Sequence, residues 1–120
     1  MQQFAKTGNS PQSPAVTAMP AVVRKIADAL HPQAIIVFGS VARGTAGPNS
    51  DIDLLVVDDF EAAGRTQDES LDLLYKAIWG FLVAIDPIVV APTDFARWRD
   101  SPYNVIGVCA REGRVVYGSI

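Results

Sequence analysis

Asp51 and Asp53 stand either side of Ile52 at the head of an apolar run, Leu54 to Val57, and Asp86 interrupts a second apolar run, Ala84 to Val90. Side chains alternate faces along a strand, so Asp51 and Asp53 share one face with Cα atoms roughly 6–7 Å apart. Two such carboxylates can converge on one divalent ion, or share two ions about 4 Å apart. Without a cation they repel, and at least one pKa rises. A buried Asp within an apolar strand is costly unless it has a partner, and a metal shared with Asp51 and Asp53 would give Asp86 one. Asp86 also reads as a turn residue at the start of its strand. Upstream, Gly39-Ser40 ends an apolar run, Ile35 to Phe38. A glycine lets a phosphate approach the backbone closely. Ser40 is placed to cap the segment that follows, whose free N–H groups form an anion site. Arg43 suits a phosphate or a carboxylate, and bracing the loop through a carboxylate is the preferred role. Phosphates fit one end of the stretch from Ile35 to Val57, and the metal that accompanies phosphates fits the other.

The elements that must hold these groups follow from periodicity and punctuation. Residues 1–17, rich in Gln, Ser and Pro, read as a flexible tail, and residues 18–120 as a single domain. A helix is expected from near Pro20, with Val22, Val23, Ile26, Ala29 and Leu30 on its inward face and Pro32 after it. Gly47 to Ser50 form a turn between the two strands. Asp58 to Arg65 read as a loop, with Asp58 and Asp59 as solvated carboxylates at the far end of the Asp strand. Thr66 and Glu69 form a capping-box pattern. It opens an amphipathic helix from about Gln67 to Phe81, marked by Leu71, Leu74, Tyr75, Ile78 and Leu82. Tyr75 and Trp79 read as core or interface residues rather than a base-stacking platform. Pro87 restricts the Asp86 strand to a sheet edge or a local break. A short helix starts at Pro92-Thr93 and runs through Trp98. Ser101-Pro102 signals a further helix to about Glu112, stopped by Gly113, and Arg114 to Tyr117 form a last short strand.

Composition narrows the chemistry. The net charge is −3 and no run of Lys or Arg occurs, which argues against direct binding to duplex nucleic acid. A nucleotide that brings its own Mg²⁺ is compatible with an acidic site. His31 and Cys109 are each the only residue of their type, so one chain cannot build a His/Cys zinc site or an internal disulfide. His31 reads as a solvated turn residue and Cys109 as a small buried side chain. No secretory signal or membrane-length apolar run stands out, and a cytoplasmic protein is expected.

Gly39-Ser40, ten residues, then Asp51-x-Asp53 resembles the signature of the polymerase-beta nucleotidyltransferase superfamily. Val41-Ala42-Arg43-Gly44 and Ser50 before the first Asp look most like its minimal nucleotidyltransferase (MNT) branch, and the Arg111-Glu112-Gly113 turn with Val115-Val116-Tyr117-Gly118 is similar to the end of many such domains. The resemblance spans about Pro20 to Gly118. It implies an α/β (α+β) fold of the polymerase-beta type, with a small mixed sheet and helices packed mainly on one face. It also implies Asp51, Asp53 and Asp86 as the catalytic, metal-binding carboxylates for two Mg²⁺ ions, with Gly39, Ser40 and Arg43 at the phosphates of ATP. Larger relatives carry an additional acceptor-binding domain, for which no residues are left here. The resemblance then implies an antitoxin that transfers AMP to a tyrosine of a HEPN-domain toxin. A non-catalytic antitoxin that works by binding alone, and a small-molecule nucleotidyltransferase acting on an antibiotic, are the alternatives.

Overall fold

The computed structural model describes residues 13–120. Its elements run α1 (Pro14–Leu30), β1 (Ala34–Phe38), α2 (Gly39–Arg43), β2 (Ile52–Val57), α3 (Gln67–Ala77), β3 (Ile85–Val90), α4 (Pro92–Trp98), α5 (Val105–Glu112) and β4 (Arg114–Gly118). The four strands form one sheet in the order β3-β2-β1-β4. β1 lies antiparallel to both β2 and β4, whereas β2 and β3 are parallel, so the sheet is mixed. β3 is an edge strand, the position that Pro87 requires.

Alternation along the strands sorts the core into two layers. Ile35, Val37, Ile52, Leu54 and Val56 face α1 and α3, meeting Val22, Ile26 and Leu74. Ala34, Ile36, Leu55 and Val57 point the opposite way, onto Phe95 of α4 and Ile106 and Cys109 of α5. The two long helices therefore sit on one face, and the second face is covered only in part, by the two short ones. That partial cover leaves the end of the second face nearest Phe38 and Asp53 open to solvent.

Several elements depart from the sequence reading. α1 starts at Pro14, not near Pro20, so the boundary placed after residue 17 falls inside the helix. Ser13 caps it, its Oγ accepting from the Val16 N–H at 3.5 Å, and Pro14 takes the first turn. Ala15, fully buried, anchors this additional turn, and Pro20 is accommodated within the helix on its exposed side. The rest of the tail assignment, residues 1–12, lies outside the described residues. α3 has the expected capping box, with Glu69 N donating to Thr66 Oγ1 at 3.1 Å and Thr66 N to Glu69 Oε1 at 2.8 Å. It ends at Ala77 rather than Phe81, and the chain leaves through Gly80 at φ 96°. Ile78, just past that end, stays in the core and Phe81 packs against it, whereas Trp79 is 88% exposed and Leu82 fully exposed.

Asp58 is not a solvated loop carboxylate. It is 2% exposed, accepts from Ser70 Oγ at 2.7 Å and pairs with Arg65 Nη2 at 3.3 Å, clamping the 58–66 loop and α3 to the sheet. α5 starts at Val105, capped by Asn104, while Ser101 Oγ accepts from the N–H groups of Tyr103 and Asn104 and holds the preceding turn. Gly107 lets this helix lie on that turn, since a Cβ there would overlap the Ser101 carbonyl. His31 closes α1 as an exposed left-handed cap residue.

Candidate active site

The register of β2 decides which carboxylates meet. Asp53 is aligned with Asp86 on β3, and in a parallel pair aligned residues share a face, about 4.8 Å apart between strands. On its other side Asp53 is aligned with Phe38 of β1. Gly39, next in the chain, therefore packs directly against Asp53. A Cβ at Gly39 would overlap the Asp53 carboxylate, and Gly39 also turns at φ 71°, where L side chains are strained. The close approach of Asp53 therefore requires glycine at this position. Asp51 precedes β2 on an exposed turn, which is locked by Gly47 N donating to Ser50 Oγ at 2.8 Å and Ser50 N to Gly47 O at 3.3 Å.

These groups border a surface cleft of about 560 Å³ whose walls include Ser40, Arg43, Asp51, Asp53, Val108 and Glu112. Asp86 stands beside Asp53 outside this lining and is exposed, so the expectation of a buried Asp86 needing a partner does not hold. β3 is an edge strand, and the second face is bare at this end. Ser40 is not a cap: the N-cap of α2 is Phe38, without a side-chain hydrogen bond. Arg43 forms no carboxylate brace either. The ion pairs among the described residues are Arg65–Asp58 and Lys76–Asp72. Its exposed guanidinium is left to face the cleft.

Electrostatics mark the same spot. Asp53 has its pKa raised, first by burial, then by the negative charges of Asp86 and Asp51, with Arg43 acting in the opposite sense. Burial and the nearby Asp53 charge push the Cys109 thiol up to about 11, so this fully buried cysteine is an inert member of the core. Among the described residues no three His, Cys, Asp or Glu side chains are drawn into a ready-made metal cage. The donor set nonetheless suits Mg²⁺: it consists of hard carboxylate oxygens, mutually repelling and without ion-pair partners among the described residues. Mg²⁺ is commonly held by one or two carboxylates together with substrate phosphates and water rather than by a closed protein cage.

The sequence reading missed the far wall of the cleft. Val108 and Glu112 lie on α5 four residues apart, a spacing that puts them on one side of a helix.

A three-layer α/β domain with carboxylates on adjacent strands and a glycine turn against them defines a class, and the comparisons place the chain in it. Residues 21–106 match the family model of the nucleotidyltransferase domain, and the chain belongs to that family. It is 38% identical over 70 residues to the putative protein adenylyltransferase MJ1305 of Methanocaldococcus jannaschii, a match covering 57% of this chain and 48% of that protein. The chain thus matches about half the length of this relative. Its fold is similar to the crystal structure of a putative nucleotidyltransferase from Sulfolobus solfataricus, with a TM-score of 0.58 and 19% identity over 87% of this chain and 80% of that one. Among the described residues no helix is long and apolar enough to cross a membrane.

Proposed function

We propose that this domain transfers AMP from ATP to a hydroxyl on a partner protein, a tyrosine of a HEPN-domain toxin, and acts as its antitoxin. The observation that carries the chemistry is the register: Asp53 and Asp86 side by side on one face, Asp51 two residues before, and Gly39-Ser40 against them. The sequence resemblance to MNT domains suggests the HEPN partner, and the likeness to MJ1305 supports a protein acceptor. The cleft is open, with Arg43 and Asp51 exposed on its walls and Asp86 exposed beside it, which suits an acceptor carried on a macromolecule.

Each residue has a role that its position allows. Ser40 and Arg43 bind the β- and γ-phosphates, and the absent Cβ at Gly39 admits them close to the backbone. Asp51, Asp53 and Asp86 would hold Mg²⁺, which supplies charge neutralisation and lowers the pKa of the acceptor hydroxyl. Asp86, exposed on the edge strand, accepts the proton of that hydroxyl. The hydroxyl oxygen bonds to the α-phosphorus in line as the bond to the β-phosphate oxygen breaks, and pyrophosphate leaves. Positioning accounts for much of such a rate, so small displacements of Asp53 matter.

The test is to incubate the protein with ATP labelled at the α-phosphate, Mg²⁺ and a HEPN partner. Label is expected on the partner's tyrosine, and Asp51→Asn or Asp53→Asn should remove it. An intact complex that takes up no label, or an Asp53→Asn variant that still protects cells, would count against catalysis as the mode of action.

A further inference from the structure

We infer that Glu112 is the ribose-binding residue of the cleft, an inference that rests on the nucleotidyl-transfer reading above. The cleft is polarised. Its near wall holds Ser40, Arg43 and the carboxylates that would carry metal, all suited to a triphosphate. Its far wall is the last turn of α5, where half-buried Val108 is followed by exposed Glu112. A helix C-terminus presents carbonyls and a partial negative charge, and Glu112 adds a full one. That wall repels phosphate and attracts hydrogen-bond donors.

The donors a nucleotide offers beside its α-phosphate are the two ribose hydroxyls. An ionised carboxylate is acceptor-only, and its two oxygens can take both members of a vicinal diol. Acidic side chains serve the same purpose at the ribose of dinucleotides in another fold. Adenine fits Glu112 less well, because its amino donor lies next to a ring-nitrogen acceptor that a carboxylate would repel. Glu112 is also firmly placed. Gly113 N donates to Cys109 O at 2.9 Å, and a Cβ on Gly113 would collide with Cys109 O, the Ile36 side chain and Val37 O. The end of α5 is thereby seated on β1 beside Phe38, at the mouth of the cleft.

Equilibrium binding tests this with the full chain in Mg²⁺, using ATP and 2′,3′-dideoxy-ATP as probes and titration calorimetry as the readout. For the wild type, ATP should bind at least about tenfold more tightly than the dideoxy analogue, the worth of a single charge-assisted hydrogen bond. Glu112→Ala should weaken ATP to the level of the analogue and leave the analogue unchanged. Glu112→Gln, which keeps one acceptor oxygen, should fall between. Thermal melts should be unchanged for both variants, since Glu112 is exposed. A variant that weakens both probes equally, or neither, overturns the ribose role while leaving nucleotide binding intact. A wild type that binds neither probe overturns the nucleotidyl-transfer reading and this inference with it.

Discussion

Replacing Gly39 with alanine tests the centre of the site, because two separate costs meet at this residue. The first is conformational: φ is 71°, and an L-residue held there costs about 1–2 kcal/mol. For a domain of this size that lowers Tm by roughly 4–9 °C. The second is local, since the new methyl would overlap Asp53 Oδ2 and force the carboxylate aside. Displacing a catalytic group by about 1 Å costs ~100-fold in rate. Gly64→Ala separates the two, because Gly64 also has positive φ, at 75°, but would place its Cβ in open space. Differential scanning calorimetry should show Gly64→Ala paying the backbone cost alone, with AMP transfer at the wild-type rate. Gly39→Ala should melt at least as low and lose ~100-fold in transfer. In an Asp53→Ala background the clash disappears, leaving only an ordinary 3.4 Å contact with the Asp53 Cβ, so Gly39→Ala should there match Gly64→Ala in stability. If Gly39→Ala melts with Gly64→Ala in the wild-type background and transfers AMP at full rate, the reasoning that ties Gly39 to Asp53 is refuted.

Other outcomes follow from the same geometry. The pKa of Asp53 is raised in the folded state, so between its unfolded and folded values the native protein holds the extra proton and stability falls as pH rises. Melts in EDTA from about pH 4 to about pH 7 should show that decline, and Asp53→Asn should flatten it. Mg²⁺ should raise Tm of the wild type near neutral pH more than that of Asp53→Asn, which a metal titration followed by Tm will detect. Asp58→Ala strips the partner from buried Ser70 and from Arg65, and should cost about 3 kcal/mol in urea unfolding while leaving nucleotide affinity unchanged. Trp79→Ser and Leu82→Ser remove side chains that touch solvent, so their melting temperatures should stay within a degree or two of the wild type.

The sequence by itself determined the elements and the chemical repertoire. Residues that act through their immediate neighbours were legible: the Thr66–Glu69 capping box, the turn from Gly47 to Ser50, and Pro87 marking a sheet edge. Each rests on backbone geometry that repeats every two or four residues. What needed the tertiary structure was every statement about distant parts of the chain. Only the parallel register of β2 and β3 sets Asp86 beside Asp53, and only the antiparallel register of β1 presses Gly39 onto Asp53. The burial of Asp58, the exposure of Asp86 and Leu82, and the arrival of Glu112 at the cleft depend on which ends of the sheet α3, α4 and α5 cover. Burial is a property of packed layers, and no local pattern of residue types encodes which side of a sheet is left bare.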